Sequence, residues 1–420
     1  MLGVDILNIN RIRNLKKRDR FIKRFFTDNE REYIEAKNNS NQTIAGLFCA
    51  KEAVAKVFDT GLVAKLFFQD IEILHLKGAP YINTKLPKIH ALMTEKGFKE
   101  IDISISHDGD MAIAIAMARP VFEVYPKIDK DLAKLMPERN EDFHKYDYGK
   151  VLVIGGKKGM HGSVTLAAKA AMRTGAGLTH LLLPSSIESA CNQWLLETIV
   201  RTYPSDYKGE FAKFDREEFI QYIKTFDSIA FGPGIGNGEA AKDMLDIILT
   251  EYLGPLIIDA DGINILSNLS FLDYKKKNIY LTPHEKEFSV LSGFDIESIK
   301  ADRILSCKIF VENNPINLLL KGKDTLVVND QEVYVNKSGS SALATAGSGD
   351  CLTGILLALL GRQDSFDMLK LAAYIHGLSG DFASRDLGED SVIASDIIDY
   401  LPKVLKALRK EAENDNQSSN

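Results

Sequence analysis

From about residue 150 onward, short apolar runs alternate with stretches of helical spacing. This alternation limits the fold more than any other feature of the chain. "KVLVIGG", "LTHLLLP", "SIAFGPGIG", "PLIIDADGIN" and "NIYLTPHEKE" each hold an apolar run that ends in glycine or a polar loop. A strand with no polar face must be covered on both sides. That requirement predicts a mostly parallel sheet with crossover helices on both faces, an α/β fold. "GSVTLAAKAAMRTGAG" predicts a small-residue helix closed by glycine. "INLLLKGKDTLVV" and "QEVYVNKSG" add strands, and "GDCLTGILLALLG" and "LKLAAYIHGLSGDFAS" add closing helices.

The first 118 residues follow another pattern. "LGVDIL" predicts a strand and "TIAGLFCAKEAVAKVF" a helix. "GFKEIDISISHD" and "MAIAIAMA" alternate in β fashion around the turn "HDGD", so this part predicts an α+β domain. A segment with three prolines and much charge, "RPVFEVYPKIDKDLAKLMPERN", separates the two patterns. The expected organisation is a domain at 1–118, a linker at 119–127, a second domain at 128–410 and a disordered tail at 411–420.

A formal net charge of −6 over 420 residues excludes a generic nucleic-acid binder. The cysteines Cys49, Cys191, Cys307 and Cys351 show no paired spacing, so neither a zinc site nor a disulfide framework is expected. With no secretory signal and no apolar run of about 18 residues, a cytoplasmic location is expected and no membrane partner.

Candidate chemistry falls into two sets. In the first, Asp5 interrupts an apolar strand, and Glu52 lies one helical turn before Lys56. Two carboxylates on separate rigid elements suit a hard cation such as Mg²⁺. Residues 11–24 carry eight bases against the single acid Asp19. In the second set, glycine-rich loops follow the strands, and "LATAGSGDCLTG" opens a helix. Such a helix start offers backbone N–H groups to a phosphate. Asp350 stands at that start. It is placed to take a proton from an acceptor hydroxyl, and the helix dipole and nearby cations are expected to keep it ionised.

"GVDI" at 3–6, "FCAKEAVAK" at 48–56 and "SISHDGDMAIAIA" at 104–116 resemble the holo-[acyl-carrier-protein] synthases, which are 4'-phosphopantetheinyl transferases. The resemblance covers nearly all of residues 1–118. It implies Mg²⁺ on Asp5 and Glu52, catalytic roles for Lys56 and His107, and coenzyme A as co-substrate. It also implies an acidic acyl-carrier protein docked on Arg11–Arg24, and trimers with active sites between subunits.

"DFHKYDYGKVLVIGG", "LAAKAAMRTGAGL" and "SALATAGSGDCLTGILLALL" resemble the ribokinase-like NAD(P)H-hydrate dehydratases. That resemblance runs from about Ile128 to about Leu408. It implies that ADP drives the dehydration of hydrated NADH or NADPH. AMP or ADP would lie on Lys321, Gly322, Lys323, Asp324, Thr325 and Gly349. The hydrate would contact Ser163, Gly234 or Gly236, His284 and Asp350, with Asp350 catalytic. The family usually has alanine where Ser163 stands, and Pro-Gly where "TPHEKE" has Glu285 and Lys286. Two alternatives stay open: a small-molecule kinase in the second domain, and a noncatalytic trimerisation module in the first.

Overall fold

A computed structural model describes residues 1–58, 66–120, 126–140, 142–269 and 278–418. Residues 121–125 of the expected linker and residues 419–420 of the expected tail lie outside the described residues. The chain divides into two compact units, Met1–Tyr125 and Pro126–Asn420.

The first unit is built on an antiparallel sheet in the order β1–β5–β4, with β1 Leu2–Asn8, β4 Phe98–Asp108 and β5 Met111–Pro120. A hairpin of β2 (Ile73–Leu76) and β3 (Ala79–Ile82) stands beside it. The two-residue period of β5 is visible in its burial. Ala112, Ala114, Ala116 and Ala118 face inward, while Met111, Ile115 and Met117 stay exposed. Small inward residues let a helix lie close to the sheet. At Gly3 a Cβ would come within 2.0 Å of the Ala53 carbonyl oxygen, so only glycine fits there. Two helices matter to the candidate site. The basic α1 (Arg18–Phe25) is held by ring contacts of Phe21 and Phe25 with Phe48, and α2 (Asn41–Val57) buries Ile44, Leu47, Cys49, Val54 and Val57 in the core.

The second unit holds a nine-stranded sheet in the order β14-β13-β12-β11-β10-β9-β6-β7-β8 among the described residues. The strands are β6 Lys150–Ile154, β7 Leu178–Pro184, β8 Ile199–Tyr203, β9 Ser228–Phe231, β10 Leu256–Ile258, β11 Ile279–Leu281, β12 Asn317–Leu320, β13 Leu326–Val328 and β14 Val333–Val335. Pairing is parallel from β8 through β12, and β13 and β14 are antiparallel. The continuous apolar runs are the buried strands that the sequence predicts. Strand β8 has no counterpart in the sequence reading. It is an edge strand carrying Arg201 and Thr202, and it lacks the apolar run that marks the others.

Five helices frame the candidate site in this unit: α3 (His161–Thr174), α4 (Glu285–Ser292), α5 (Arg303–Asn313), α6 (Ser348–Leu360) and α7 (Phe366–Leu387). The small residues of α3 serve contact with α6. A Cβ on Gly354 would lie 2.1 Å from the Ala167 carbonyl oxygen and 2.8 Å from Ala170 Cβ. The final helix, α8, runs from Ala394 to Ser418. The polar segment from residue 411 is therefore helical through Ser418, not disordered as its composition suggested. Buried Leu401, Val404 and Leu408 pin the helix, Glu411 lies 4.0 Å from Lys130, and Glu and Ala are strong helix formers.

Candidate functional site

Strand order reverses at β6, which lies between β9 and β7. In open parallel sheets ligands bind past the carboxyl ends of the strands near such a reversal. The loops that leave β6, β9, β10, β11 and β12 carry the second candidate set, and one polar network ties them together.

Its centre is Asp259, at the end of β10. It is 1% exposed, its Oδ1 lies 2.8 Å from Lys321 Nζ, and its Oδ2 accepts from Thr353 Oγ1 at 2.7 Å. Burial opposes ionisation of Asp259, but Lys321 and Thr353 outweigh it and hold the carboxyl below its ordinary range. Lys321 reaches Glu287 as well, at 3.9 Å. Burial works against its charge, yet Asp259, Glu287 and Asp350 together raise its proton affinity above the ordinary lysine range. A Cβ on Gly349 would stand 3.4 Å from Lys321 Nζ, so the ammonium sits directly beside the opening of α6.

Asp350 lies in the first turn of α6, after Gly347 in a left-handed conformation at φ +87°. Burial first, and then the charge of Asp259, push Asp350 up to about 7, with Ser163 and Lys321 acting the other way. Removal from water and a like charge thus work against the expectation that dipole and cations keep the carboxyl ionised. Below the loop, His376 of α7 bonds through Nε2 to the Ser348 carbonyl oxygen at 2.9 Å, and burial lowers its proton affinity to about 4.

Ser163 in the first turn of α3 meets both Asp350 and the glycine loop after β9. A Cβ on Gly234, itself at φ +61°, would stand 3.5 Å from Ser163 Cβ. Gly236 donates its N–H to Asp261 Oδ2 at 2.9 Å. His284 is the N-cap of α4: Glu287 N–H donates to its Nδ1 at 3.1 Å, and His284 N–H donates to Glu287 Oε2 at 2.9 Å. This reciprocal cap closes the turn without proline or glycine.

The structure therefore gathers Ser163, Gly234, Glu287, Lys321, Gly349 and Asp350 around one network. Lys323 and Asp324 stay outside it: Asp324 is exposed and pairs with Lys337 at 3.0 Å. Two residues that the sequence does not single out matter here. Asp259 lies in "PLIIDADGIN", where an apolar run gives way to a polar loop. Arg303 of α5 donates to four carbonyl oxygens of the loop after β12: Leu320 at 3.3 Å, Lys321 at 3.3 Å, Lys323 at 2.6 Å and Asp324 at 3.3 Å. The apolar run before Asp259 signals it weakly; nothing local signals Arg303.

In the first unit, Lys56 Nζ of α2 lies 2.9 Å from Asp5 Oδ1 and 2.8 Å from the Val4 carbonyl oxygen. Burial and the Asp5 charge raise the Glu52 carboxyl, with Lys56 opposing. The three side chains form one cluster. His107 belongs elsewhere: its Nε2 lies 2.8 Å from the Gln42 carbonyl oxygen in the first turn of α2. Ten residues of helix separate Gln42 from Glu52, about 15 Å at the α-helical rise. Asp5 and Glu52 offer hard oxygen donors, with no third His, Cys, Asp or Glu completing a metal cluster among the described residues. That set fits Mg²⁺ with water or substrate oxygens filling the remaining positions.

Residues 151–403 match the NAD(P)H-hydrate dehydratase model of the carbohydrate-kinase type. The chain belongs to that family. Residues 1–116 match the 4'-phosphopantetheinyl transferase superfamily. An ADP-dependent (S)-NAD(P)H-hydrate dehydratase from Neisseria meningitidis is 35% identical over 257 residues, which are 60% of this chain and 82% of that protein. A bifunctional NAD(P)H-hydrate repair enzyme from Moorella thermoacetica is 34% identical over 281 residues, 66% of this chain and 53% of that protein. The chain thus spans about half the length of such bifunctional relatives. Among solved structures, an ADP/ATP-dependent NAD(P)H-hydrate dehydratase from Bacillus subtilis, co-crystallised with ATP and Mg²⁺, superposes with a TM-score of 0.59 at 26% identity. The alignment covers 68% of this chain and 99% of that one.

Proposed function

We propose that the second unit dehydrates (S)-NAD(P)H-hydrate to NAD(P)H at the expense of ADP, giving AMP and phosphate. The observation that carries this reading is the placement of Asp350, a half-buried carboxyl in the first turn of α6 beside Ser163 and Lys321, which burial pushes up to about 7. A base with that proton affinity suits neutral pH. Asp350 takes the proton of the hydrate hydroxyl as its oxygen attacks the β-phosphorus of ADP. AMP leaves, and the C–O bond then breaks to release phosphate. Lys321, Gly322, Lys323, Asp324, Thr325 and Gly349 hold the nucleotide, with Lys321 balancing phosphate charge. Ser163, Gly234, Gly236 and His284 hold the hydrate. Incubation with hydrated NADH and ADP tests the reading. Reduced-nicotinamide absorbance should return; if it does not, while ADP is consumed on another hydroxyl compound, the unit is a small-molecule kinase.

The first unit is proposed to transfer 4'-phosphopantetheine from coenzyme A to a serine of acyl-carrier protein. The superfamily match and the cluster of Asp5, Glu52 and Lys56 support it. Asp5 and Glu52 would hold Mg²⁺, which supplies neutralisation of pyrophosphate charge. Lys56 would face the transferred phosphate. His107, at the other end of α2, suits a site completed by a second copy, with subunits meeting through exposed Leu2, Ile6, Met111, Ile115 and Met117 as a trimer. Carrier docking is assigned to the exposed basic residues of Arg11–Arg24. Apo carrier, coenzyme A and Mg²⁺ mixed with the protein should yield carrier heavier by one phosphopantetheine. An unchanged carrier mass would leave a noncatalytic assembly module. Both activities are assigned to the cytoplasm; among the described residues no helix is long and apolar enough to cross a membrane.

A further inference from the structure

The end of the second unit where α3 and α6 finish holds a concentration of positive charge that neither proposed activity uses. Arg173 lies in the last turn of α3, Arg362 just beyond α6, Arg409 on α8, and Arg139 in the segment before β6. All four line a cavity of about 540 Å³, together with Lys406 and Lys410 and the single carboxylate Glu413. An adjoining cavity of about 660 Å³ shares Arg139, Arg409 and Glu413, and adds Glu138 and Asp142.

Among the described residues this charge meets carbonyl oxygens, a tyrosine ring and the carboxylate of Glu413. Arg362 donates to the Pro137 carbonyl oxygen at 3.3 Å and to that of Glu138, and Arg409 donates to Pro137 at 3.2 Å. Arg139 and Arg362 lie over the Tyr148 ring at 4.7 and 5.2 Å. None of the four forms an ion pair with a carboxylate among the described residues. The carboxyl ends of α3 and α6 favour cations, but each supplies only about half a negative charge. Burial and crowding by neighbouring guanidinium groups lower the proton affinity of Arg362 and Arg409, with Tyr148 opposing at both and Glu413 at Arg409. A group of like charges held together this way is stabilised by a multivalent anion. Guanidinium forks match phosphate oxygens, and the cavity falls in the size range of small-molecule sites.

The geometry points to a second anion site, which binds a small molecule carrying a pyrophosphate group. It is separate from the nucleotide loop. Arg173 is ten residues along α3 from Ser163, and Arg362 is twelve beyond Asp350, or about 15 and 18 Å at the helical rise. The ligand is either inorganic pyrophosphate or a nucleoside diphosphate, and the test distinguishes them.

Isothermal titration of the full chain with inorganic pyrophosphate is run at fixed salt with saturating AMP, which fills the nucleotide loop. Binding should persist. It should weaken at least tenfold in Arg173→Gln and in Arg409→Gln, and stay unchanged in Glu52→Gln, which alters the first unit instead. Arg173 is exposed and makes no hydrogen bond or ion pair among the described residues, so a native melting curve with lost binding separates ligand contact from misfolding. ADP titrated in the same way, binding tighter than pyrophosphate, would show that a nucleoside is recognised. Equal affinity would assign the site to the phosphates alone. Binding that AMP abolishes, that Arg173→Gln leaves intact, or that only Glu52→Gln removes would overturn the proposal.

Discussion

At the scale of single residues, proton affinity decides the chemistry. Asp350→Asn keeps the shape of the carboxyl and removes the base. Turnover should fall by roughly 10² to 10⁴, the usual worth of general base catalysis, while titration shows AMP still bound. In the wild type, kcat/KM should fall as pH drops below about 7, because Asp350 then holds its proton. The stability consequence has the opposite direction. Between its ordinary value of 3.8 and about 7 the folded state binds more protons than the unfolded one, so stability declines as pH rises through that window. Asp350→Asn should therefore raise the melting temperature at pH 8 and leave it little changed at pH 4. Thermal melts at the two pH values check this.

A second residue pair tests the core of the first unit. Lys51 and Glu30 are both fully buried, with Nζ 2.5 Å from Oε2. Lys51 also donates to the carbonyl oxygens of Phe68 and Ile71. Burial raises the proton affinity of Glu30 and lowers that of Lys51, each opposed by the partner. Lys51→Ala leaves a buried carboxyl alone and should cost about 3–5 kcal/mol. The paired replacement Glu30→Gln with Lys51→Met should lose much less. Denaturant unfolding followed through the first unit's transition separates the two.

At the scale of elements, the loop after β12 owes its shape to α5. Four carbonyl oxygens of residues 320–324 converge on Arg303, and Gly322 takes φ +148° beside it. Asp324 holds φ +54°, an unfavourable backbone for a non-glycine residue. Arg303→Gln frees that loop without touching Asp350. KM for ADP should rise roughly tenfold, the worth of one or two net hydrogen bonds, with kcat nearly unchanged. Steady-state kinetics with ADP varied checks the split, and equal loss in both constants would make Arg303 a general fold residue. The basic stretch makes the companion prediction. Reversing charge at Arg13 and Arg20 should slow carrier modification, most at low salt, and leave dehydration untouched.

The elements themselves were legible in sequence wherever the pattern was local. The buried strands β6, β7, β9, β10, β11 and β12 appear as unbroken apolar runs, and α3 as a small-residue helix. Strand β8 was hidden because an edge strand needs no apolar face on both sides. The helical end of α8 was hidden because Glu, Ala and Asn satisfy an exposed helix as well as a disordered tail. His284 is placed by the structure as the N-cap of α4. Its reciprocal cap with Glu287 shows why Glu285 and Lys286 can replace the family's proline and glycine.

At the scale of the whole molecule, two units with separate cores carry two sets of chemistry on one chain. Sites without shared partners contribute independently. Asp350→Asn should leave phosphopantetheine transfer at wild-type rate, and Glu52→Gln should leave dehydration at its own. The paired assay on each variant reads this directly.

Sequence by itself determined the division of the chain near residue 120, the two families, the parallel sheet and the loops that carry the candidate site. These follow from patterns a few residues long: apolar periodicity, glycine at turns, and motifs in order. Only the tertiary structure decided the electrostatics. Asp259 and Asp350 are ninety-one positions apart in the chain, and Lys321 lies between them. Loss of water around Asp350 and the charge of Asp259 raise its proton affinity, against the expectation that it stays ionised. The same reason explains Arg303 and the arginine-lined cavity. Interaction energies between charges depend on distance and solvent exposure, and residues far apart in sequence acquire both only on folding.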